Sequence, residues 1–276
     1  MSAIFASSAQ YLVNGSAHGL ITPFDRGFAY GDGVFRTLKV VHGIPEAWPL
    51  HYQKLVADCS VIGIVAPAAE LLMHDMQQLF LLNEIAVAKI VITRGESERG
   101  YAPPAVSLPL RVVVKSNLPD YPAENFTKGI SLYLCETKLA HQPRLAGIKH
   151  LNRLESVLAR SEWHDVSFVD GMMLDQENNV IECTAANIFA KFNHVLVTPD
   201  LSHCGVAGVM RERIMQLAPR LGYSMSLKKL TLAELKLADE VFICNSLYGA
   251  WPVLSCDNHT WQVSQLTEKI NAALRT

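Results

Sequence analysis

The sequence has little charge, no excess of either sign and no long apolar run. Its 24 Lys and Arg stand against 26 Asp and Glu, a net of −2, and charged residues make up 18% of the 276. The absence of a basic cluster argues against nucleic acid as a partner. No window approaches the roughly 18 apolar residues of a membrane span, and residues 1–10 lack the charged start and apolar stretch of a secretory signal. We therefore expect a cytoplasmic protein with no membrane partner, whose ligands are small molecules.

Metal-binding sequence spacing is also missing. The six cysteines and ten histidines form no C-x-x-C pair, no zinc-ligand spacing and no H-E-x-x-H motif. We expect no metal site, and we expect the cysteines to be small buried residues in a reducing compartment. The cysteines are Cys59, Cys135, Cys183, Cys204, Cys244 and Cys256.

The length and the patterning predict two domains of mixed structure. At about 150 residues per domain, 276 residues suit one large or two modest domains. Residues 119–126 include Pro119 and Pro122 among polar residues without periodicity, which is typical of a linker. The sequence therefore predicts an α+β fold, with a smaller N-terminal α/β domain over residues 1–118 and a larger, strand-rich C-terminal domain over residues 127–276.

Periodicity predicts individual elements in both halves. An Asn14-Gly15 pair after an apolar stretch indicates a tight hairpin turn. In the first half the pattern predicts strands over 33–41, 88–93 and 110–115, and helices over 50–62 and 69–82. In the second half it predicts a helix starting near His150, another over 209–221, and strands over 130–134, 168–174, 180–183, 188–192, 195–198 and 240–244.

Three features could serve chemistry, and each also has an ordinary explanation. The turn at 205–208, bracketed by glycines, precedes a helix whose free N–H groups could bind an anion, although glycine often simply begins a helix. Lys149, flanked by Ile148 and Leu151, could be desolvated and nucleophilic, although lysine is usually a surface residue. Glu182, in a strand, could be a buried charge partner or a surface carboxylate.

Taken together, these segments resemble the fold-type IV family of pyridoxal-phosphate (PLP) enzymes, which includes branched-chain and D-amino acid aminotransferases. The resemblance covers nearly the whole chain, and its landmarks follow the family order. They are DRGFAYGDGVFRT at 25–37, HYQKL at 51–55, TRG at 93–95, LAGIKHLNRLE at 145–155, ECTAANIF at 182–189 and GVAGVMR at 205–211.

The resemblance implies roles for cofactor-binding residues. Lys149 matches the lysine that forms a Schiff base with PLP and moves protons, which suits an amine held deprotonated. Glu182 matches the carboxylate that keeps the pyridine nitrogen protonated. The amides of Val209 and Met210 and the hydroxyl of Ser246 match phosphate ligands. Met210 departs from relatives that have threonine there, which removes one side-chain hydrogen bond.

Lys54 is a second departure from the family pattern. The family usually has an arginine at this position as a phosphate ligand, and lysine supplies the charge without the bidentate fork. The resemblance therefore implies a weaker but functional phosphate contact through Lys54. A plain helix-surface lysine is the alternative.

The resemblance also implies substrate-binding residues. Arg99 corresponds in position to a residue that binds a substrate carboxylate, and Arg153, expected one helical turn after Lys149, could point to the same pocket. Tyr30 and Tyr101 are candidate pocket walls. Surface ion pairing for the arginines and ordinary packing for the tyrosines remain open.

Within the family, residues 145–155, together with Arg99-Gly100-Tyr101, look most like the aminodeoxychorismate lyase branch. That likeness implies a carbon-oxygen lyase of folate biosynthesis that converts dianionic 4-amino-4-deoxychorismate to 4-aminobenzoate and pyruvate. An aminotransferase acting on D- or branched-chain amino acids is the alternative, and a non-catalytic PLP-binding protein is a third possibility. The family resemblance also implies a homodimer.

Overall fold

The computed structural model describes residues 10–275, which divide into two compact units. Within the described residues, one unit is 10–119 with Lys149–Asn152, and the other is Asp120–Ile148 with 153–275. Residues 1–9, which bear on the expectation about a secretory signal, lie outside the described residues. None of the helices described is both long and apolar enough to span a bilayer.

The first unit is an antiparallel sheet covered by helices. Its elements are β1 (Gln10–Val13), α1 (Arg26–Tyr30), β2 (Gly33–Val41), β3 (Ile44–Pro45), α2 (Trp48–Val61), α3 (Ala69–Leu79), β4 (Ile85–Thr93) and β5 (Leu110–Asn117). The strand order is β1-β5-β4-β2-β3. The Asn14-Gly15 turn is confirmed, because both residues have positive φ and Val13 pairs with Ser16.

Alternation along β2 decides which of its residues face the helices. Val34, Leu38 and Val40 are fully buried, and they pack with Leu55 of α2 and Leu72 of α3 in one core. Each such apolar side chain contributes roughly 1.5–3 kcal/mol when it is removed from water. Because side chains alternate in direction along a strand, the same face also receives Arg36, which is buried within this apolar row.

The second unit is built on a nine-stranded sheet. Its elements are α4 (Glu124–Thr127), β6 (Ile130–Leu134), α5 (Leu154–Arg160), β7 (Phe168–Leu174), β8 (Val180–Cys183), β9 (Asn187–Phe192), β10 (Val195–Pro199), α6 (Val209–Leu217), a 3-10 turn (Ala218–Leu221), β11 (Ser224–Lys228), α7 (Leu232–Lys236), β12 (Glu240–Asn245), β13 (Gly249–Cys256), β14 (His259–Thr260) and α8 (Leu266–Ala273). The strand order is β11-β10-β9-β12-β13-β6-β7-β8, with a further β8–β9 pairing and with β14 beside β13.

The expected α+β class is confirmed, and most predicted strands lie within a few residues of their expected ends. Two predicted segments, the linker and the helix over 209–221, differ from the structure. The segment expected to be a linker, 119–126, overlaps helix α4. The helix predicted over 209–221 changes to 3-10 geometry at Ala218, where Pro219 supplies no N–H for an α-helical bond. All six cysteines are buried and free, as expected.

The helix predicted to start near His150 begins instead at Leu154. Residues 149–152 are extended along the edge of β2: His150 forms a bridge with Val34, and the Leu151 N–H donates to the Gly33 carbonyl at 3.0 Å. The apolar spacing that predicted the helix continues into a segment that pairs with a strand, so the prediction of its start was wrong.

Candidate active site

Lys149 is fixed to β2 by its main chain. Its carbonyl accepts from the Phe35 N–H at 2.9 Å, and its own N–H donates to Asp58 Oδ2 at 3.0 Å. Its Nζ lies 4.7 Å from the centre of the Phe35 ring, a cation–π distance. Because both polar groups of its backbone are bonded, Lys149 presents its amine from a constrained position.

Asp58 is the centre of a buried charge cluster in the first unit. Its side chain is 0% exposed, and besides the Lys149 N–H it receives Lys54 Nζ at 2.5 Å and an ion pair from Arg36. Lys54 and Asp58 are four residues apart on α2, so they lie on the same helix face. Burial, with repulsion from Arg36, lowers the pKa of Lys54 to about 8. Burial also lowers the pKa of Arg36 to about 10.

Sequence reasoning missed both Arg36 and Asp58. Two signals were present: a charged residue at a core-facing position between Val34 and Leu38, and an acid one helical turn after Lys54. Each signal is common on its own. One charged residue often interrupts the alternation of a strand, and an acid four residues after a lysine is usually a surface ion pair. The buried partnership among the three residues becomes visible only in the fold.

In the second unit, Glu182 is buried on β8 and engaged by a glycine turn. Its Oε2 accepts the Val206 N–H at 2.8 Å. Gly205 has a φ of +84°, and a Cβ there would lie 2.7 Å from Ile181, so a side chain at this position is excluded. The turn is further held by Gly147, whose N–H donates to the Gly205 carbonyl at 2.9 Å. Glu182 is therefore a buried carboxylate in a rigid setting, which rules out the surface alternative.

The start of α6 has the features of an anion site. Gly208 is its N-cap and no side chain caps the helix, while the first-turn residues Val209 and Met210 are buried. The first N–H groups of a helix have no acceptor inside it. Asn187, which the sequence interpretation did not single out, accepts the Gly208 N–H at 3.1 Å and donates to the Val206 carbonyl at 2.7 Å.

The buried carboxylate of Glu182 and the start of α6 fit a cofactor with a basic ring nitrogen and a phosphate. Buried amides at the positive end of a helix bind phosphate, and a buried carboxylate stabilises a protonated pyridine. Ser246 follows β12 in a turn where Asn245 Oδ1 accepts the Leu247 N–H at 2.9 Å. Val209, Met210, Glu182 and Ser246 would hold such a group from the second unit, as the sequence resemblance implies.

Of the proposed substrate residues of the first unit, Arg99 and Tyr101 lie on an exposed loop, and Tyr30 ends helix α1 at the base of that loop. Arg26 donates to the carbonyls of Gly100 and Tyr101 at 3.0 and 2.9 Å, and Tyr30 Oη accepts the Gly100 N–H at 3.2 Å. The Tyr30 and Tyr101 rings lie 5.5 Å apart. Arg99 is exposed, and Tyr101 is 86% exposed, so neither is packed in the core of this unit.

Asp32 anchors this loop base through two arginines. Arg26 Nε and Arg94 Nε reach Asp32 Oδ2 at 2.8 and 2.7 Å. Burial by itself raises the pKa of Asp32, but the hydrogen bonds from Arg94 and Arg26 outweigh it and lower that pKa overall. Arg26 is thus a structural residue that ties α1 to this loop.

No helical turn joins Arg153 to Lys149, because α5 begins only at Leu154. Arg153 is the N-cap residue of α5 and belongs to the second unit. Burial lowers its pKa overall, and attraction to Glu182 and Glu155 offsets only part of that shift. Arg153 therefore lies within electrostatic range of Glu182, and the reason first given for its role, one helical turn from Lys149, was wrong.

One group of potential metal ligands was invisible to spacing rules. The ligand atoms of His141, Asp175 and Cys204 lie within 4.8 Å of one another. Asp175 is already engaged: it accepts the Glu177 and Asn179 N–H groups at 2.9 and 2.8 Å and lies 3.0 Å from His141 Nε2. These bonds show that the Asp175 side chain holds the turn between β7 and β8, which accounts for its burial.

Comparison with known proteins identifies the family of the chain. The family model for class IV aminotransferases matches residues 33–256. An aminodeoxychorismate lyase from Vibrio harveyi is 36% identical over 270 residues, which is 96% of this chain and 100% of the relative. The crystal structure of a 4-amino-4-deoxychorismate lyase from Pseudomonas aeruginosa is 42% identical, with a TM-score of 0.91 over 96% of this chain and 98% of that one.

A branched-chain aminotransferase from Escherichia coli shares the fold, with a TM-score of 0.83 at 23% identity over 96% of this chain and 93% of that one. The family match extends over most of the sequence and includes Lys149, Glu182 and the 205–211 turn. It confirms the resemblance to fold-type IV enzymes: the chain belongs to the class IV aminotransferase family.

Proposed function

We propose that the protein is a PLP-dependent lyase that converts 4-amino-4-deoxychorismate to 4-aminobenzoate and pyruvate. The observation that carries this proposal is the likeness to two lyases along almost the whole chain, at higher identity than to the branched-chain aminotransferase. Such chemistry requires an amine and a buried carboxylate. Lys149, whose main chain is fixed, supplies the amine, and Glu182 supplies the carboxylate.

The reaction balances without water. The C3–O bond of the substrate breaks, the ring loses the C4 proton and becomes aromatic, and the departing enol gains a proton at its methylene carbon to become pyruvate. Bound PLP supplies an electron sink when the C4 proton leaves. Lys149 Nζ takes that proton and returns one to the enol carbon, acting first as base and then as acid.

The other residues hold groups in place. Glu182 keeps a proton on the pyridine nitrogen, and its bond from Val206 fixes the carboxylate. The first turn of α6 would bind the phosphate through its buried amides. Lys54 would supply a positive charge for the phosphate, as the family resemblance implies. Arg99, exposed on its anchored loop, is available to bind a substrate carboxylate, and the mutual contact of Tyr30 with Tyr101 shapes that loop.

We further propose that the enzyme is a cytoplasmic homodimer, as the family resemblance implies. The outer face of α5 supports a partner, because Leu154, Val157 and Leu158 are each more than half exposed. Six buried free thiols suit a reducing compartment. Light scattering of the purified protein and of a Val157→Glu variant tests this: we expect a dimer that the variant weakens, and a monomeric wild type would contradict it.

Two parallel assays test the activity. Pyruvate release from 4-amino-4-deoxychorismate is followed by a coupled dehydrogenase, and transfer of an amino group from D- or branched-chain amino acids to 2-oxoglutarate is followed separately. We expect rapid pyruvate release that depends on PLP. Transamination without pyruvate release would show that the aminotransferase alternative is correct, and cofactor binding without either activity would indicate a non-catalytic protein.

A further inference from the structure

Arg36 is a buried charge with more donors than partners. Its side chain is 3% exposed, and its ionic contact is with Asp58. Within residues 10–275, its Nε is buried without a hydrogen-bond acceptor. A guanidinium has five N–H donors, and a buried charge is costly unless it is compensated. Packing alone does not explain a charged residue inside this apolar row.

The cluster around Arg36 contains more positive than negative charge. Asp58 is a single carboxylate, yet it serves Arg36, Lys54 and the Lys149 N–H together. Arg36 and Lys54 bring two positive charges against one negative charge. The pair Arg111 and Asp75 in the same unit shows the ordinary arrangement: one arginine bonds one fully buried carboxylate, at 2.7 and 3.3 Å.

The three side chains of the cluster differ in how deeply they are buried. Asp58 is fully buried and Arg36 nearly so, while the Lys54 side chain is 27% exposed and is the outermost of the three. If Arg36 were absent, the carboxylate of Asp58 would cancel the charge of Lys54. With Arg36 present, Asp58 is already neutralised from the interior, and the net charge of the cluster appears at Lys54.

We propose that Arg36 is a positioning residue for phosphate binding: it neutralises Asp58 from inside the core, so that Lys54 keeps a net positive charge for the cofactor phosphate. This inference rests on the proposed PLP dependence and concerns the departure from arginine at position 54. Asp58 in turn orients Lys54 and fixes the Lys149 main chain. Arg36 acts through charge and does not touch the ligand.

The test compares PLP with pyridoxal, which carries the same aldehyde and ring but no phosphate. The ratio of their dissociation constants for the apo protein isolates the phosphate contact and requires no turnover. A charge-assisted hydrogen bond is worth about ten- to a hundred-fold in affinity. We expect Lys54→Met to reduce the preference for PLP by roughly that factor, and Arg36→Met to reduce it by about ten-fold.

The double variant Arg36→Met/Asp58→Asn gives the decisive result. Removing both buried charges leaves Lys54 positive again, so we expect the preference for PLP to return to near the wild-type value. If Arg36 bound the phosphate directly, or if its loss merely disturbed the fold, the double variant would stay as weak as Arg36→Met, and that outcome overturns the proposal.

Two controls make the ratio specific. Arg111→Met removes a buried arginine from the same unit, and we expect it to leave the ratio unchanged; a fall equal to that of Arg36→Met would contradict the proposal. Circular dichroism of each apo variant establishes that it is folded before binding is measured. Because the ratio is independent of pyruvate release, failure of this inference and failure of the proposed lyase activity are distinguishable.

Discussion

Removing the charge of Asp58 tests how much the first unit depends on its buried cluster. Asp58→Asn keeps the size of the side chain and an oxygen for the Lys149 N–H, but it leaves the Arg36 guanidinium, 3% exposed, without a counter-charge. Breaking a buried ion pair by removing one partner costs about 3–5 kcal/mol. In a unit of this size, that loss lowers the melting temperature by on the order of 10 °C.

Removing both charges together should cost less than removing the carboxylate alone. Replacing a buried pair by neutral side chains of similar size is often nearly neutral, so we expect Arg36→Met/Asp58→Asn to recover most of the lost stability. Arg36→Met alone should cost less than Asp58→Asn, because Asp58 retains Lys54 at 2.5 Å.

Thermal unfolding of the apo protein, followed by calorimetry, measures these differences. Glu177→Gln serves as the control, because its pair with Lys229 is exposed on both sides and its loss should produce no measurable change. A shift for Asp58→Asn of less than about 3 °C, or a double variant less stable than Asp58→Asn, would refute the view that Arg36 and Asp58 form a coupled buried pair.

Three further predictions concern the site. Lys149→Ala should abolish both pyruvate release and the visible absorbance of bound cofactor, as spectra and the coupled assay measure; turnover at the wild-type rate would exclude Lys149 as the proton-transfer residue. Glu182→Gln can still accept the Val206 N–H, so the protein should fold while kcat falls by about 10²-fold or more, and an unchanged kcat would remove Glu182 from the mechanism. The pKa of Lys54, which faces Asp58 and Arg36, is lowered to about 8. Because Lys54 is protonated below that pH, the preference for PLP over pyridoxal should be full there and should decline as pH rises through about 8. If a Lys54→Met variant shows the same decline, the decline belongs to another group.

Much of the fold was accessible from local pattern. The strand pattern predicted β2 over the same residues that the structure gives, 33–41, and the Asn14-Gly15 turn followed from the positive φ values that those residues tolerate. The helix after residue 149 was predicted too early, because apolar spacing does not record that His150 pairs with Val34. Pairing between segments more than a hundred residues apart has no signature in either segment alone.

The sequence by itself determined the family landmarks and the glycine turn at 205–208, and it was enough to propose Lys149 and Glu182 for the site, because each is a residue type or spacing that its chemistry requires. The tertiary structure alone decided that Asp58 receives Arg36, Lys54 and the Lys149 N–H together, and that Arg153 lies in the electrostatic range of Glu182. The physical reason is that charge compensation depends on distance and burial. Both are set by the packing of β2 against α2 and by the docking of a distant segment on the strand edge, which no local pattern of residues records.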